Sequence, residues 1–153
     1  MSPEDLLAKF GIYGASAVAA FIAGLAPPFS IEVFLIAMVA IVEPSLAELM
    51  LCCLCAALAH QVAKTITYYA GEGALENKRL KPRIDKVRPR IDRWNKAPHL
   101  ILFLAGAFGI PPLYILGFIA GPLMRIKFLA FTAIIFITRF GRFVVLAVIP
   151  LLF

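Results

Sequence analysis

The chain has 153 residues, 62% of them hydrophobic and 16% charged, with a formal net charge of +6. An ordinary globular domain is about 45–50% apolar, so this composition argues against a water-soluble fold; at about 20 apolar residues per crossing there is room for three or four spans. Nor does the charge describe a nucleic-acid surface. Nine of the fifteen Lys and Arg lie from Lys78 to Lys96 between two apolar blocks, where the positive-inside rule places a cytoplasmic loop, and no RNA- or DNA-binding motif accompanies them.

In chain order, residues 1–9 form a polar lead in which Ser2-Pro3-Glu4-Asp5 reads as a helix cap followed by acids in the first turn. Those acids stand where a signal peptide carries basic residues, so the first helix is expected to remain in the mature protein. Phe10–Leu25 predicts an apolar helix rich in small residues, among them Gly11, Gly14, Ala15, Ser16, Ala19, Ala20 and Gly24, which let backbones approach closely in lipid. Pro27-Pro28 must end or kink it, because proline removes a backbone donor and biases the preceding residue away from helix. Broken backbone in hydrocarbon is tolerated only where it is buried in protein or lines a wet cavity.

Phe29–Val42 is apolar except for Ser30 and Glu32, is too short to span, and reads as a re-entrant half-helix closed by Glu43-Pro44. Ser45-Leu46-Ala47-Glu48 is a capping box opening a long helix through Tyr69, which carries His60, Gln61, Lys64, Thr65 and Thr67. Tyr68-Tyr69 suits the aromatic belt at a membrane surface. Cys52, Cys53 and Cys55 share this helix; three thiols at that spacing cannot close a tetrahedral metal site or form an unstrained disulfide, so they are read as packing residues, and no metal or cofactor is expected.

Residues 71–98 are the hydrophilic stretch, in which Ile84, Val87 and Ile91 recur at helical spacing and predict a short surface helix ending near Trp94. Its basic residues are expected to meet anionic lipid headgroups. His99–Phe108 is again too short to cross, and Gly109-Ile110-Pro111-Pro112 repeats the earlier break. After Leu113–Ala120 and Gly121-Pro122 come Arg125 and Lys127, and Phe128–Phe153 forms a last spanning helix containing Arg139 and Arg142. At 1.5 Å per residue Arg139 lies roughly 20 Å beyond Lys127, deep in the membrane.

Two interrupted apolar segments at corresponding positions point to an internal repeat. The expected fold is therefore an all-α integral membrane domain over residues 1–153. It comprises an inverted repeat of residues 10–70 and 99–153 around a cytoplasmic loop at 71–98, with re-entrant hairpins broken at Pro27, Pro28, Gly109, Pro111 and Pro112 and about three spanning helices. A chain this small is expected to complete a transport wall as a homodimer or higher oligomer.

Ionisable groups inside apolar segments cost about 2.5–3.5 kcal/mol each on insertion scales and face a partner or a cavity. Glu32, His60, Lys64, Arg139 and Arg142 are of this kind. Burial favours the neutral acid at Glu32 and a nearby arginine favours the carboxylate, so a small movement of Arg139 or Arg142 would load or release a proton. The static alternative is a Glu32–Arg142 pair holding the halves together, with Lys64 snorkelling to the cytoplasmic surface and His60 an interior histidine. An arginine fork also suits a phosphate headgroup.

The first of the motifs that carry a family resemblance are Pro27-Pro28-Phe29-Ser30-Ile31-Glu32, the helix with Ala56, His60 and Tyr68-Tyr69-Ala70-Gly71, and the basic loop. Gly109-Ile110-Pro111-Pro112, Ala120-Gly121-Pro122 and Phe140-Gly141-Arg142-Phe143 complete the set. In this order they resemble the DedA family, whose members share the VTT domain, and most of all its short bacterial branch. The resemblance covers residues 24–150. It implies two inverted re-entrant hairpins in a bacterial inner membrane and lipid scrambling or transport of undecaprenyl phosphate and other lipids, coupled in some members to the proton gradient. Glu32 would be the re-entrant acid and Arg139 or Arg142 the buried arginine. The chain differs from many members in lacking an arginine beside its second re-entrant proline and in carrying His60 where glycine is common.

Other classes are a small multidrug exporter and a structural protein whose polar residues are interhelical glue. An enzyme is not expected, since neither a His-Glu-x-x-His zinc motif nor the clustered Arg, His, Asp and Ser motifs of a lipid phosphatase occurs.

Overall fold

The computed structural model describes residues 3–26, 30–77, 82, 89, 91, 92 and 94–151. Its regular elements are α1 Pro3–Leu25, α2 Ile31–Val42, α3 Leu46–Glu76, α4 Pro98–Phe108, α5 Leu113–Ile119 and α6 Phe128–Val148, with a 3₁₀ turn at Ile149–Leu151, and no strand occurs among the described residues. Helices α1, α3 and α6 are each long and apolar enough to cross a membrane, the character of a multi-pass membrane protein.

Their surfaces carry the same message. On α3, Leu51, Leu54, Leu58, Val62, Ile66 and Tyr69 form an exposed apolar stripe, and α6 exposes Leu129, Ile137 and Val145 at eight-residue spacing. The α3 stripe runs 18 residues, about 27 Å at 1.5 Å per residue, close to the ~30 Å of a bilayer's hydrocarbon core. Inside, where a soluble protein keeps hydrocarbon, lie His60, Gln61, Lys64 and Arg139. An apolar exterior around a core that also holds charged side chains suits lipid, since exposed apolar area on this scale in water marks an interaction surface.

Local causes account for the element ends. Helix α1 starts at Pro3, earlier than the Phe10 predicted from hydropathy, because Pro3, Glu4 and Asp5 suit a first turn. It breaks at Gly11 (φ 66°, ψ 179°), a conformation an L side chain resists, so an arm Pro3–Phe10 precedes the apolar rod. Ser2, the predicted cap, lies outside the described residues, as do Pro27 and Pro28. Helix α2 begins at Ile31 because the Ser30 hydroxyl accepts from the Val33 N–H (3.4 Å). The capping box of α3 forms as predicted: the Glu48 Oε2 accepts from the Ser45 N–H (2.9 Å) and hydroxyl (2.7 Å), and the Glu48 N–H donates to Ser45 Oγ (3.4 Å).

Helices α2 and α4 end on a left-handed residue whose N–H closes the last turn, Glu43 onto the Val39 carbonyl (3.0 Å) and Gly109 onto Ala105 (3.0 Å), and the turn after α5 ends likewise with Arg125 onto Gly121 (3.2 Å). Glycine takes this conformation freely; other residues pay about 1–2 kcal/mol. Glu43→Gly is therefore expected to stabilise the protein by about 1 kcal/mol, read as a raised midpoint of thermal unfolding in detergent. At the far end, α6 stops at Val148 instead of reaching Phe153, because Pro150 supplies no donor and turns Ile149 away from α geometry.

By internal packing the chain divides into two units, Met1–Ala63 with Arg139–Phe153, and Lys64–Thr138. In the first, α1 buries Ala15, Ser16, Ala19, Ala20 and Gly24, and packs on α2, which buries Ile31, Phe34, Leu35, Met38 and Val39. Small residues earn their place here: a Cβ at Gly24 would collide with the Ala63 side chain and touch His60. Cys52 and Cys53 are buried and Cys55 is half-buried, all as free thiols, and no metal-binding cluster occurs among the described residues.

The second unit packs Leu102 and Ala105 of α4, Leu113, Leu116 and Ile119 of α5, and Phe131 and Ile135 of α6 around Tyr68. Tyr68 donates its hydroxyl to the Ile126 carbonyl (2.8 Å) and stacks on Phe128 and Phe131. Helix α3 continues through Gly71 to Glu76, past the predicted end at Tyr69, because Gly71 is a site of close approach and not a stop: a Cβ there would strike the Phe118 carbonyl. Residues 71–76 of the expected 71–98 loop thus belong to α3, and the described residues 82, 89, 91, 92 and 94 are helical as well. Of its predicted surface helix, Ile84 and Val87 lie outside the described residues, while Ile91 is buried and Trp94 packs half-buried on this core. Lys64 does not snorkel; it is 2% exposed, with its aliphatic stem beside Gly117 of α5.

Candidate functional site

The densest charge in the first unit gathers at the start of α2. Glu32 occupies that helix's first turn, where unpaired backbone N–H groups and the helix dipole favour an anion. The Ser30 hydroxyl that caps the helix also donates to Glu32 Oε2 (2.9 Å), fixing the carboxylate's rotamer. Its other oxygen, Oε1, accepts a hydrogen bond from Arg139 Nη1 (3.1 Å) and lies 3.1 Å from Arg142 Nε.

Both arginines reach one acid because residues three apart share a helix face. Gly141 between them is exposed and has nothing near its Cβ position, so the face turned to Glu32 is that of residues 139 and 142 alone. The side chains of Arg139, Glu32 and Arg142 are 10%, 19% and 27% exposed, which grades the site from a nearly dry end at Arg139 to an open end at Arg142. Glu32 thus holds two guanidiniums on a single carboxylate oxygen. Arg139 Nε is buried with no hydrogen-bond partner among the described residues, so this guanidinium retains unused donor capacity.

His60, the fourth residue expected here, is buried on α3 between Gly24 of α1 and Phe143 of α6, meeting the Phe143 ring edge-to-face at 6.0 Å. It thereby packs against the residue next to Arg142. The predicted second break is present: Gly109 closes α4 in the left-handed region, the Ile110–Pro111 peptide is cis, and Pro112 leads into α5. Ser30 was missed as a site residue. Its signal was the Ser-x-x spacing before an apolar run, the same signature that identified Ser45.

The arrangement can hold a proton or an anion: a carboxylate paired with two guanidiniums, with its more open side at Arg142. No family model matches the chain, and neither does any curated protein or solved structure.

Proposed function

We propose that this protein is a multi-pass membrane carrier of the DedA type that moves a phosphate-bearing lipid, a polyprenyl phosphate or a phospholipid, between leaflets, with Glu32, Arg139 and Arg142 as its site and proton coupling through Glu32. The observation that carries the reading is the Glu32–Arg139–Arg142 cluster inside apolar helices. A phosphate monoester or diester is an anion that arginine's planar fork fits. Protonation of Glu32 gives up its two ion pairs in favour of that anion; its departure restores them. In the same proposal, the helices on either side of the 26–30 and 109–112 breaks form re-entrant hairpins of an inverted repeat, the basic stretch after α3 is cytoplasmic, and the membrane is a bacterial inner membrane.

The short, saturated contacts of Glu32 equally suit a static brace, and that structural reading is the second one. Arg142→Gln separates them because it leaves the Glu32–Arg139 pair intact. In liposomes holding a fluorescent polyprenyl-phosphate or phospholipid analogue, leaflet exchange by the wild-type protein is expected to respond to an imposed pH gradient, and Arg142→Gln is expected to slow it at least tenfold, the effect of losing one charge-assisted contact of about 1.5–3 kcal/mol. Unchanged exchange in the folded variant would assign the cluster to bracing. Export of small cationic dyes in place of lipid exchange would favour a multidrug exporter.

A further inference from the structure

In the second unit, the turn between α5 and α6 borders a polar cleft of about 400 Å³ lined by Asp92, Asn95, Pro122, Leu123, Met124 and Arg125. Its volume sits in the lower part of the ~300–1,000 Å³ range of small-molecule sites. Two features mark it as built. Asn95 Nδ2 donates to the Leu123 carbonyl (3.4 Å), tying the far wall to the turn, while Tyr68 holds the Ile126 carbonyl from the other side. Arg125 sits at φ 54°, in the left-handed cap position where Gly109 shows what the backbone prefers. A strained residue that is kept is a pointer to function, since such outliers cluster at ligand clamps.

The charges select the ligand. Among the described lining residues, a simple anion would meet the Asp92 carboxylate, and a metal ion would find that carboxylate together with the Arg125 guanidinium; a molecule that carries both an ammonium and a phosphate satisfies both. None of the described lining residues is aromatic, so they make no cage of the kind quaternary ammonium groups need, whereas a primary ammonium has N–H donors for a carboxylate. The neighbourhood is interfacial: exposed Tyr69 meets the Phe128 ring at 5.2 Å and Trp94 is half-buried beside the turn. We infer that this cleft binds a 2-aminoethyl phosphate group, with Arg125 on the phosphate and Asp92 on the ammonium. The inference is independent of any role for Glu32.

The test uses the full-length protein in detergent with dihexanoyl phosphatidylethanolamine, phosphatidylcholine and phosphatidylglycerol, followed by native mass spectrometry. The ethanolamine lipid is expected to bind about tenfold more tightly than the other two, as one charge-assisted contact dictates. Asp92→Asn, at an exposed position, should erase the preference over phosphatidylcholine, and Arg125→Gly, which relaxes the turn and keeps the fold, should weaken all three. Glycerophosphoethanolamine binding as tightly as the lipid would assign the site to a soluble ester, and weaker binding would assign it to a membrane lipid. Equal affinity for the three lipids, or an unaltered preference in Asp92→Asn, would overturn the inference.

Discussion

Replacing Glu32 with glutamine is expected to destabilise the protein by about 3 kcal/mol, the lower end of what removal of one partner costs a buried ion pair, because Arg142 keeps part of its side chain in contact with the outside. The magnitude follows from what is left behind. Two guanidiniums that shared one carboxylate oxygen at 3.1 Å remain as like charges in a largely dry setting, and a neutral amide cannot offset either. Arg142→Gln should cost less than about 1 kcal/mol, since it leaves a balanced and hydrogen-bonded Glu32–Arg139 pair and removes the more exposed cation. The double variant should fall between them, less stable than Arg142→Gln and more stable than Glu32→Gln, because it also removes one of the two like charges that Glu32 compensates. Thermal unfolding in detergent, followed by the fraction of protein that stays monodisperse, orders the four proteins. If Arg142→Gln proves as costly as Glu32→Gln, the shared-carboxylate account is wrong.

The features that sequence alone revealed are those whose cause is local. Ser45 and Glu48 are three residues apart and satisfy each other's backbone, so four letters were enough to place the start of α3. The break at Gly109–Pro112 was equally visible, whereas Arg139 and Arg142 were named only as alternative partners of Glu32 although their spacing of three puts them on one face. Which acid these arginines meet was harder: Glu32 is 107 residues from Arg139, and it was nominated only because a charge in hydrocarbon needs a partner. Three features were not readable. Whether Lys64 stays inside or snorkels to the surface was left open, and its place beside Gly117 is decided by tertiary packing. Arg125 in a left-handed turn contradicts residue preference outright. Gly71 is the clearest case, since a glycine that ends a helix and one that lets another backbone touch it are the same letter.

That last ambiguity yields a sharp expectation, because α3 carries two glycines two residues apart with opposite surroundings. A Cβ at Gly71 would run into the carbonyl group of Phe118, which is backbone and cannot rotate aside as a side chain would. Gly71→Ala must therefore push α3 and α5 apart within the second unit, uncovering contacts around Tyr68 and Leu116, at a cost of about 3 kcal/mol, the upper end of ordinary overpacking. Gly73 faces open space, with nothing within 4 Å of its Cβ position. Gly73→Ala changes only helix propensity and the entropy of the unfolded chain, and should stabilise by about 0.5–1 kcal/mol. The two single substitutions, made in the same helix with the same methyl group, should move the unfolding midpoint in opposite directions. Were Gly71 a helix stop, as its position after Tyr68-Tyr69 suggests, both alanines would lengthen α3 and both midpoints would rise.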